Sequence, residues 1–467
     1  MSTTAPIAPQ VSPRDVHDVL KRHMLVDGYH LVQDLDRSHG AFIYDSSKDR
    51  LVLDFYTSFA TIPLGYNHPK LVSAETRERL LGAALNKLAN SDIYTTELAT
   101  FVETFSRTLP EALRHHLFFI EGGTLAVENA LKTAFDWKVR KNLAKGKGEK
   151  GSQILHFKDA FHGRSGYSLS LTNTADPRKT QYFPKFPWPR VLNPMLSFPV
   201  TGEVLARVAA AEKQTVAEIE RALRENPDDI AALIIEPIQG EGGDNHFRRE
   251  FLAELRRLAD EHEFLLIFDE VQTGFGTTGK WWAFEHFGVE PDIVCTAKGI
   301  ASGLPLGAMV AKAELMTWDA GHHGSTFGGN PVSCAVALET IRLLEEGLMD
   351  NAAERGEQAL AGLRKATAEH GALVRDVRGK GLMIGVQFDS DATAEAVQWA
   401  AFQRGLLVLE AGEAVVRMSP PLVVSAEEVD TAVRLFGESV DAVAKDPAKA
   451  LHDARKWGDV DEVYVAG

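Results

Sequence analysis

Two short apolar runs, each followed by polar residues, constrain this chain more than any other feature. Residues 264–268 are all apolar and lead into Asp269, and residues 293–295 are apolar and lead into Thr296, Ala297 and Lys298. Such runs predict strands that are buried on both faces of a parallel sheet. Ligands of open α/β sheets bind outside the carboxyl ends of the strands. We therefore expect Asp269 and Lys298 to leave neighbouring strands and to face one site.

The rest of the central region repeats this pattern. Apolar strands are predicted at 117–120, 153–157, 231–235, 265–268 and 293–295, with helical stretches between them. In the predicted helix 247–262, one face carries Phe247, Phe251, Leu255, Leu258 and Ala259. Strands that alternate with helices predict βαβ units and a mainly parallel sheet.

The two ends of the chain have a different character. Short strands are predicted at 41–44 and 51–55, and after a helix at 332–344 further strands are predicted at 373–376, 381–388, 405–409 and 415–418. This pattern is typical of a smaller α+β domain. We therefore predict a large domain at 72–330 and a small domain built from 1–71 and 331–467.

Composition excludes several classes of protein. The 467 residues suffice for one large and one smaller domain, and the net charge of −15 argues against a nucleic-acid or anionic-membrane partner. Two cysteines argue against a disulfide framework. The sequence shows neither a signal-peptide pattern nor an apolar run of roughly 18 residues, so we expect a cytoplasmic protein. The adjacent His322 and His323 lack further ligands in the sequence, and no metal site is predicted.

The residue types suggest a pyridine-type cofactor that carries an aldehyde and a phosphate. A carboxylate such as Asp269 can pair with a protonated ring nitrogen, and Lys298 can form a Schiff base. Gly122 and Gly123 precede an amphipathic helix, whose first amides can bind an anion. Taken singly, a glycine turn, an acid at a strand end and a loop arginine are more often structural, so the residues alone leave both interpretations open.

Taken together and in order, these motifs resemble the class III (ω-amino acid) aminotransferases, which use pyridoxal 5′-phosphate. The resemblance covers residues 15–440. It implies the fold type I architecture, with a mainly parallel seven-stranded sheet in the large domain. It also implies that Lys298 holds the cofactor and acts as general acid–base, while Asp269 keeps the ring protonated. The implied cofactor-binding residues are Gly123, Thr124, Phe161, His162, Glu236, Asp269, Gln272, Lys298 and, across a homodimer interface, Thr326.

The resemblance also implies how two substrates share one site. Arg164 is expected to bind the distal carboxylate of the amino donor, and Glu241, the third expected catalytic residue, to neutralise Arg417. 2-Oxoglutarate is expected to place its second carboxylate on Arg417. Four segments, 85–92, 121–123, 160–173 and 240–244, are most similar to lysine 6-aminotransferases, which form a semialdehyde and glutamate.

The segment 299–307 follows the general class III pattern, so several related activities remain as alternatives. Ornithine, acetylornithine and GABA aminotransferases share that pattern, as do amino-acid racemases of the same fold. A racemase would need acid–base access to both faces of the substrate carbon and would release no glutamate. The presence of both Glu241 and Arg417 favours transamination between two substrates.

Overall fold

The computed structural model describes residues 11–86, 92–447, 450 and 452 of the chain. The strands, numbered along the chain, are β1 (Gln33–His39), β2 (Phe42–Asp45), β3 (Arg50–Asp54), β4 (His116–Ile120), β5 (Gln153–Phe157), β6 (Arg190–Val191), β7 (Ile230–Ile235), β8 (Ile238–Gln239), β9 (Asn245–His246), β10 (Leu265–Asp269), β11 (Ile293–Thr296), β12 (Gly307–Ala311), β13 (Val374–Lys380), β14 (Met383–Phe388), β15 (Leu406–Leu407), β16 (Leu409–Ala411) and β17 (Val415–Met418).

The α-helices are α1 (Val16–Lys21), α2 (Thr57–Ala60), α3 (Ala74–Asn86), α4 (Thr96–Ser106), α5 (Gly123–Ala144), α6 (Gly166–Leu171), α7 (Gly202–Glu225), α8 (Arg249–His262), α9 (Pro331–Leu343), α10 (Met349–Ala366), α11 (Asp391–Gln403) and α12 (Ala426–Lys445). The element α2 is a single left-handed turn, since all four of its residues have positive φ. Throughout the described ranges, no helix is long and apolar enough to cross a membrane.

A seven-stranded sheet with the order β4-β12-β11-β10-β7-β5-β6 organises the middle of the chain. The neighbours β11, β10, β7, β5 and β6 run parallel. The strand β12 runs antiparallel to both β11 and β4. The prediction of a mainly parallel seven-stranded sheet in an α/β fold is therefore confirmed.

The central strands are buried on both faces, as their sequences predict. In β10, Leu266 and Phe268 belong to one hydrophobic cluster, while Leu265 and Ile267 belong to a second cluster on the opposite face. The helix α8 contributes Phe251, Leu255 and Leu258 to the first cluster, and α5 contributes Ala126, Ala130 and Leu131 to the second. Because helices cover both faces, the strands can be uniformly apolar, and polar residues occur where the strands end.

Two smaller sheets bring the ends of the chain together. One has the order β1-β2-β3-β15 and the other β13-β14-β17-β16. In the first, Leu406 of the C-terminal segment pairs with Leu53 of the N-terminal segment. This pairing agrees with the expected joining of the two segments, while the boundaries at 71 and 330 stay predictions.

Several elements differ from the sequence-based expectations. The strand β12 was not predicted, and the predicted strand 405–409 is divided into β15 and β16, which lie in different sheets. The predicted strand 373–376 extends to Lys380, because it forms a long hairpin with β14. The helix predicted from Phe247 begins at Arg249, although Phe247 is buried just before it.

Candidate active site

A cavity of about 410 Å³ lies where the strands of the large sheet end. Asp269 ends β10, Lys298 follows β11, and Glu236 follows β7 directly. Nine of the residues predicted for the site line this cavity: Gly123, Thr124, Phe161, His162, Glu236, Glu241, Asp269, Gln272 and Lys298. The structure therefore brings together residues that are separated by up to 175 positions in the sequence (298 − 123).

Asp269 is held in a fixed orientation in the cavity wall. Its Oδ2 atom lies 2.7 Å from Nδ1 of His162, and its Oδ1 atom accepts a hydrogen bond from the amide of Val271 at 3.0 Å. Both side chains are buried, with 4% of Asp269 and none of His162 exposed. In the pairing of β10 with β11, Asp269 lies opposite Cys295. The acid is therefore next to the strand that leads to Lys298, as the sequence predicts.

Lys298 begins a 3₁₀ turn that only Ala297 separates from the end of β11, and it has a positive φ of 39°. Its Nζ atom donates a hydrogen bond to Oε1 of Gln272 at 2.5 Å. Burial and the positive charge of Arg417 lower the pKa of Lys298 to about 8, although Glu241, Glu236 and Asp269 oppose the shift. An amine with this pKa is partly neutral near physiological pH, which a nucleophile or general base requires.

Glu236 joins two loops of the cavity through its carboxylate. The amide of Phe161 donates to Oε1 at 3.0 Å, and the amide of Gly240 donates to Oε2 at 2.9 Å. Burial raises the pKa of Glu236 to about 7, with His162 opposing and Asp269 reinforcing the shift. The carboxylate thus fixes the loop that carries Phe161, and direct contact of Glu236 with a cofactor stays a prediction.

The glycines at the start of α5 leave room for a ligand. A Cβ atom added to Gly123 would lie 2.7 Å from Cγ1 of Val271, so a larger residue would fill this part of the cavity. Close by, Oγ1 of Thr124 accepts a hydrogen bond from the amide of Arg164 at 3.2 Å. The first amides of a helix have no partners within the helix, so α5 offers donors to an anion at this point.

Glu241 and Arg417 form the charged end of the site. The Oε2 atom of Glu241 lies 3.6 Å from Nη2 of Arg417, whose side chain is 2% exposed. The strand β17 places Arg417 inside the protein, so this arginine is not a surface charge. Burial alone would raise the pKa of Glu241, but Arg417, Lys179 and Lys298 outweigh it and hold that pKa below its usual value.

Three predicted residues do not line the cavity: the buried Arg417 and the two exposed residues Arg164 and Thr326. Arg164 is exposed, and its guanidinium carbon lies 5.8 Å from the ring centroid of Phe161. Thr326 is also exposed, in a loop that Glu121 holds by accepting hydrogen bonds from Ser325 and from the amide of Phe327. An exposed Thr326 agrees with the expectation that it serves a neighbouring subunit, and that role stays a prediction.

Sequence reasoning did not assign a role to several residues of the site. Val271, Thr61 and Leu304 line the cavity, and Lys179 forms an ion pair with Glu241. Val271 follows Asp269 by two positions and could have been found from its place beyond a strand end. Lys179 lies in a connection between α6 and β6 that has no strand-end signal. Across the described residues, no group of three or more His, Cys, Asp or Glu side chains could hold a metal ion.

Comparison with known proteins shows which protein family has this fold and this cavity. Residues 25–440 match the sequence profile described as aminotransferase class-III. The chain belongs to the class-III aminotransferases. An L-lysine-epsilon aminotransferase of Mycobacterium tuberculosis is 45% identical over 427 residues, which cover 90% of this chain and 94% of the relative. An acetylornithine aminotransferase of Gloeobacter violaceus is 37% identical over 402 residues, covering 86% and 91%.

A solved structure agrees with this membership of the class-III aminotransferases. The lysine aminotransferase from M. tuberculosis in the internal aldimine form superposes with a TM-score of 0.88 at 43% identity, covering 93% of this chain and all of that one. The family resemblance read from the sequence is therefore confirmed, together with the fold type I architecture. Part of that resemblance lay in the segment 85–92, of which residues 87–91 are outside the described ranges.

As a class-III aminotransferase the protein uses pyridoxal 5′-phosphate, and its own cavity fits that group. Gly123 and Thr124 at the start of α5 offer backbone amides to the phosphate, and a Cβ on Gly123 would crowd Val271 beside them. Asp269 offers a carboxylate for a ring nitrogen, and Lys298 an amine for an aldehyde. The buried Nε2 atom of Gln272 has no hydrogen-bond partner among the described residues, so it can donate to an oxygen of the cofactor. The protein accordingly moves an amino group from a donor to a keto acid.

Proposed function

We propose that this aminotransferase moves the ε-amino group of L-lysine to 2-oxoglutarate, giving a semialdehyde and L-glutamate. The position of Glu241 carries the proposal, because it lines the cavity with Lys298 and lies 3.6 Å from the buried Arg417. A site that must bind lysine and a dicarboxylate in turn needs one cation whose charge can be neutralised and released. The greater similarity to the lysine relative than to the acetylornithine relative supports the choice of donor.

The chain's own residues would position and move protons in this reaction. Bound pyridoxal phosphate supplies an aldehyde that takes up amino groups and a ring that withdraws electrons from the substrate carbon. Lys298, with its pKa lowered to about 8, would take the proton from the carbon that bears the amino group. Asp269, oriented by His162, would hold negative charge beside the ring nitrogen and so stabilise the charge that develops there.

The charged end of the site would select the substrates. Lysine carries one carboxylate, which Arg164 would bind by a bidentate pair, while Glu241 neutralises Arg417. Glutamate and 2-oxoglutarate carry two carboxylates, and the second would pair with Arg417 once Glu241 has moved away. Arg164 is exposed beside Phe161, so it can reach a substrate that enters over that ring.

A panel of amino donors tests the assignment. Purified protein with bound cofactor is mixed with 2-oxoglutarate and with lysine, ornithine, acetylornithine or GABA, and glutamate is measured. We expect glutamate and the cyclised semialdehyde from lysine, with no product from the Lys298→Ala variant. Glutamate from ornithine or acetylornithine but not from lysine would overturn the lysine assignment, and loss of optical activity without glutamate would indicate a racemase.

We also propose that the protein works as a cytoplasmic homodimer whose sites are completed across the interface. Large apolar side chains are exposed on the described surface, among them Leu81, Ile93, Tyr94 and Phe327. Phe327 is 65% exposed and adjoins Thr326, which is expected to reach the neighbouring cofactor. The buried cysteines Cys295 and Cys334 are both free, which fits a reducing compartment. Sedimentation of Phe327→Asp, expected to give more monomer than the wild type, tests the assembly.

A further inference from the structure

The carboxylate of Glu241 lies between two cations. Its Oε1 atom is 2.5 Å from Nζ of Lys179, and its Oε2 atom is 3.6 Å from Nη2 of Arg417. The pairing with Lys179 is a direct hydrogen bond, whereas the pairing with Arg417 is an ion pair without one. Glu241 is therefore held more closely by a lysine that lies 62 positions earlier than by the arginine it is expected to neutralise.

Arg417 is prepared for a second anionic partner. Its side chain is 2% exposed, and neither Nη1 nor Nη2 has a hydrogen-bond partner within the described residues. A buried guanidinium without hydrogen bonds is costly, and a planar carboxylate can satisfy both nitrogens at once. In this arrangement Arg417 can accept a substrate carboxylate without first losing a hydrogen bond to Glu241.

Lys179 is placed for this pairing by a short turn. Pro177–Lys179 forms one turn of 3₁₀ helix, and Oδ1 of Asp176 accepts the amide of Arg178 at 3.0 Å. Asp176 also pairs with the Arg178 side chain at 2.9 Å, so its carboxylate is already engaged next to Lys179. The side chains of Lys179 and Glu241 are 19% and 17% exposed, which leaves their interaction partly shielded from solvent.

The backbone of Glu241 is fixed while its side chain has a choice of partners. The amide of Gly412 donates to the carbonyl of Glu241 at 2.7 Å. A Cβ on Gly412 would lie 2.2 Å from the carbonyl oxygen of Gly242, so the two loops approach as closely as glycine permits. A change of partner by Glu241 therefore requires only side-chain rotation.

We propose that Lys179 is a positioning residue that keeps Glu241 paired whenever a dicarboxylate occupies Arg417. This inference rests on the proposed function, in which Glu241 releases Arg417 for 2-oxoglutarate. Without Lys179, binding of the dicarboxylate would leave a largely buried carboxylate unpaired, and the cost would fall on that substrate alone. Lysine binding, which leaves Glu241 with Arg417, would not carry that cost.

The test compares four chains with bound cofactor: wild type, Lys179→Met, Lys179→Arg and Lys185→Met. The last variant removes a positive charge from the same connection, where Nζ of Lys185 donates to the carbonyl of Thr180 and to no other acceptor among the described residues. The Kd of glutarate, a dicarboxylate that cannot react, is measured by calorimetry, and KM is measured for 2-oxoglutarate and for lysine. We expect Lys179→Met to raise the glutarate Kd and the 2-oxoglutarate KM about tenfold, as loss of a hydrogen bond between charged groups does.

The same variant should change the KM for lysine less than about twofold, since Arg417 still neutralises Glu241. Lys179→Arg should restore glutarate binding, and Lys185→Met should leave it unchanged. In a Glu241→Gln background the effect of Lys179→Met should disappear, because the pair no longer exists. An unchanged glutarate Kd in Lys179→Met, or equal changes in both KM values, would overturn the inference. If the wild type made no glutamate from lysine, the proposed function would be wrong instead. The Kd of glutarate would still test the role of Lys179, because glutarate binds without reacting.

Discussion

The Oδ2 atom of Asp269 lies 2.7 Å from Nδ1 of His162, although 107 positions separate the two residues. The amide of Val271 binds the other carboxylate oxygen at 3.0 Å, so the acid has one orientation in the cavity wall. A carboxylate in the wall of a largely buried cavity interacts strongly with any positive charge placed beside it. The orientation of Asp269 is therefore the feature on which charge stabilisation in this site depends.

Replacing Asp269 by Asn keeps the shape of this residue and removes its charge. We expect the turnover number with lysine and 2-oxoglutarate to fall at least about 100-fold, the usual loss when a preorganised charge partner is removed. Glutamate formation under saturating substrates measures the effect. His162→Gln serves as the comparison and should cost about tenfold, because the Val271 amide still orients Asp269. An Asn variant that retained most of its turnover would contradict a charge role for Asp269.

Replacing Gly123 by Ala tests the phosphate seat. The new Cβ would lie 2.7 Å from Cγ1 of Val271, so one of these two residues must shift, and both line the cavity. We expect the affinity for pyridoxal phosphate to fall about tenfold, measured by titration of the cofactor-free chain followed by absorbance. Adding Val271→Ala removes the clash and should recover much of the affinity. If the double variant bound no better than Gly123→Ala, the obstruction would not be the cause.

The sequence alone predicts the strands that are buried on both faces. The strands β7 and β10 are continuous apolar runs, because both of their faces are covered. The strand β12 is not predicted from the sequence because Gly307–Ala311 is short and begins with glycine. It lies antiparallel between β11 and β4, and no local pattern encodes its pairing with β4, some 190 positions earlier.

The residues of the site divide in the same way, into those that the neighbouring sequence predicts and those whose position depends on distant residues. Asp269, Lys298 and Glu236 could be predicted because each lies at a strand end, where a parallel sheet presents its chemistry. Lys179 could not, since its partner Glu241 is 62 residues away and the turn that holds it has no apolar pattern. The burial of Arg417 was equally invisible from its neighbours, because it results from the pairing of β17 with both β14 and β16.

The hydrogen bonds of Glu270, the residue after Asp269, predict that replacing it lowers the stability of the protein. Its buried carboxylate accepts the amides of Ala283 at 3.0 Å and Phe284 at 2.9 Å, and it also binds the hydroxyl of Thr273. Glu270→Ala leaves two buried amides unpaired, so we expect the free energy of unfolding to fall by about 2–6 kcal/mol. Denaturant unfolding measures the change. Glu270→Gln retains an acceptor and should cost less than Glu270→Ala, and equal losses would contradict this explanation.

The same carboxyl should make stability depend on pH. Burial raises the pKa of Glu270 to about 7 from the usual 4.5, so the folded chain holds this proton more tightly than the unfolded chain does. Its contribution to stability is therefore greatest below pH 4.5 and is lost as the pH rises towards 7. Comparing wild type with Glu270→Gln from pH 5 to 8 isolates this contribution. The difference between the two chains should shift in favour of Glu270→Gln as the pH rises, and a shift in the opposite direction would contradict a raised pKa.

The lowered pKa of Lys298 predicts how the rate of cofactor binding depends on pH. Only the neutral amine can attack an aldehyde, and burial together with Arg417 lowers the pKa of Lys298 to about 8 from the usual 10.5. The rate at which the cofactor-free chain takes up pyridoxal phosphate should therefore rise with pH up to about 8 and then level off. Stopped-flow absorbance measures the rate, and Lys298→Ala should show no such phase. Because Arg417 contributes to the shift, Arg417→Met should move the midpoint upwards. A rate still rising steeply above pH 9.5 in the wild type would mean that Lys298 titrates as roughly an ordinary lysine.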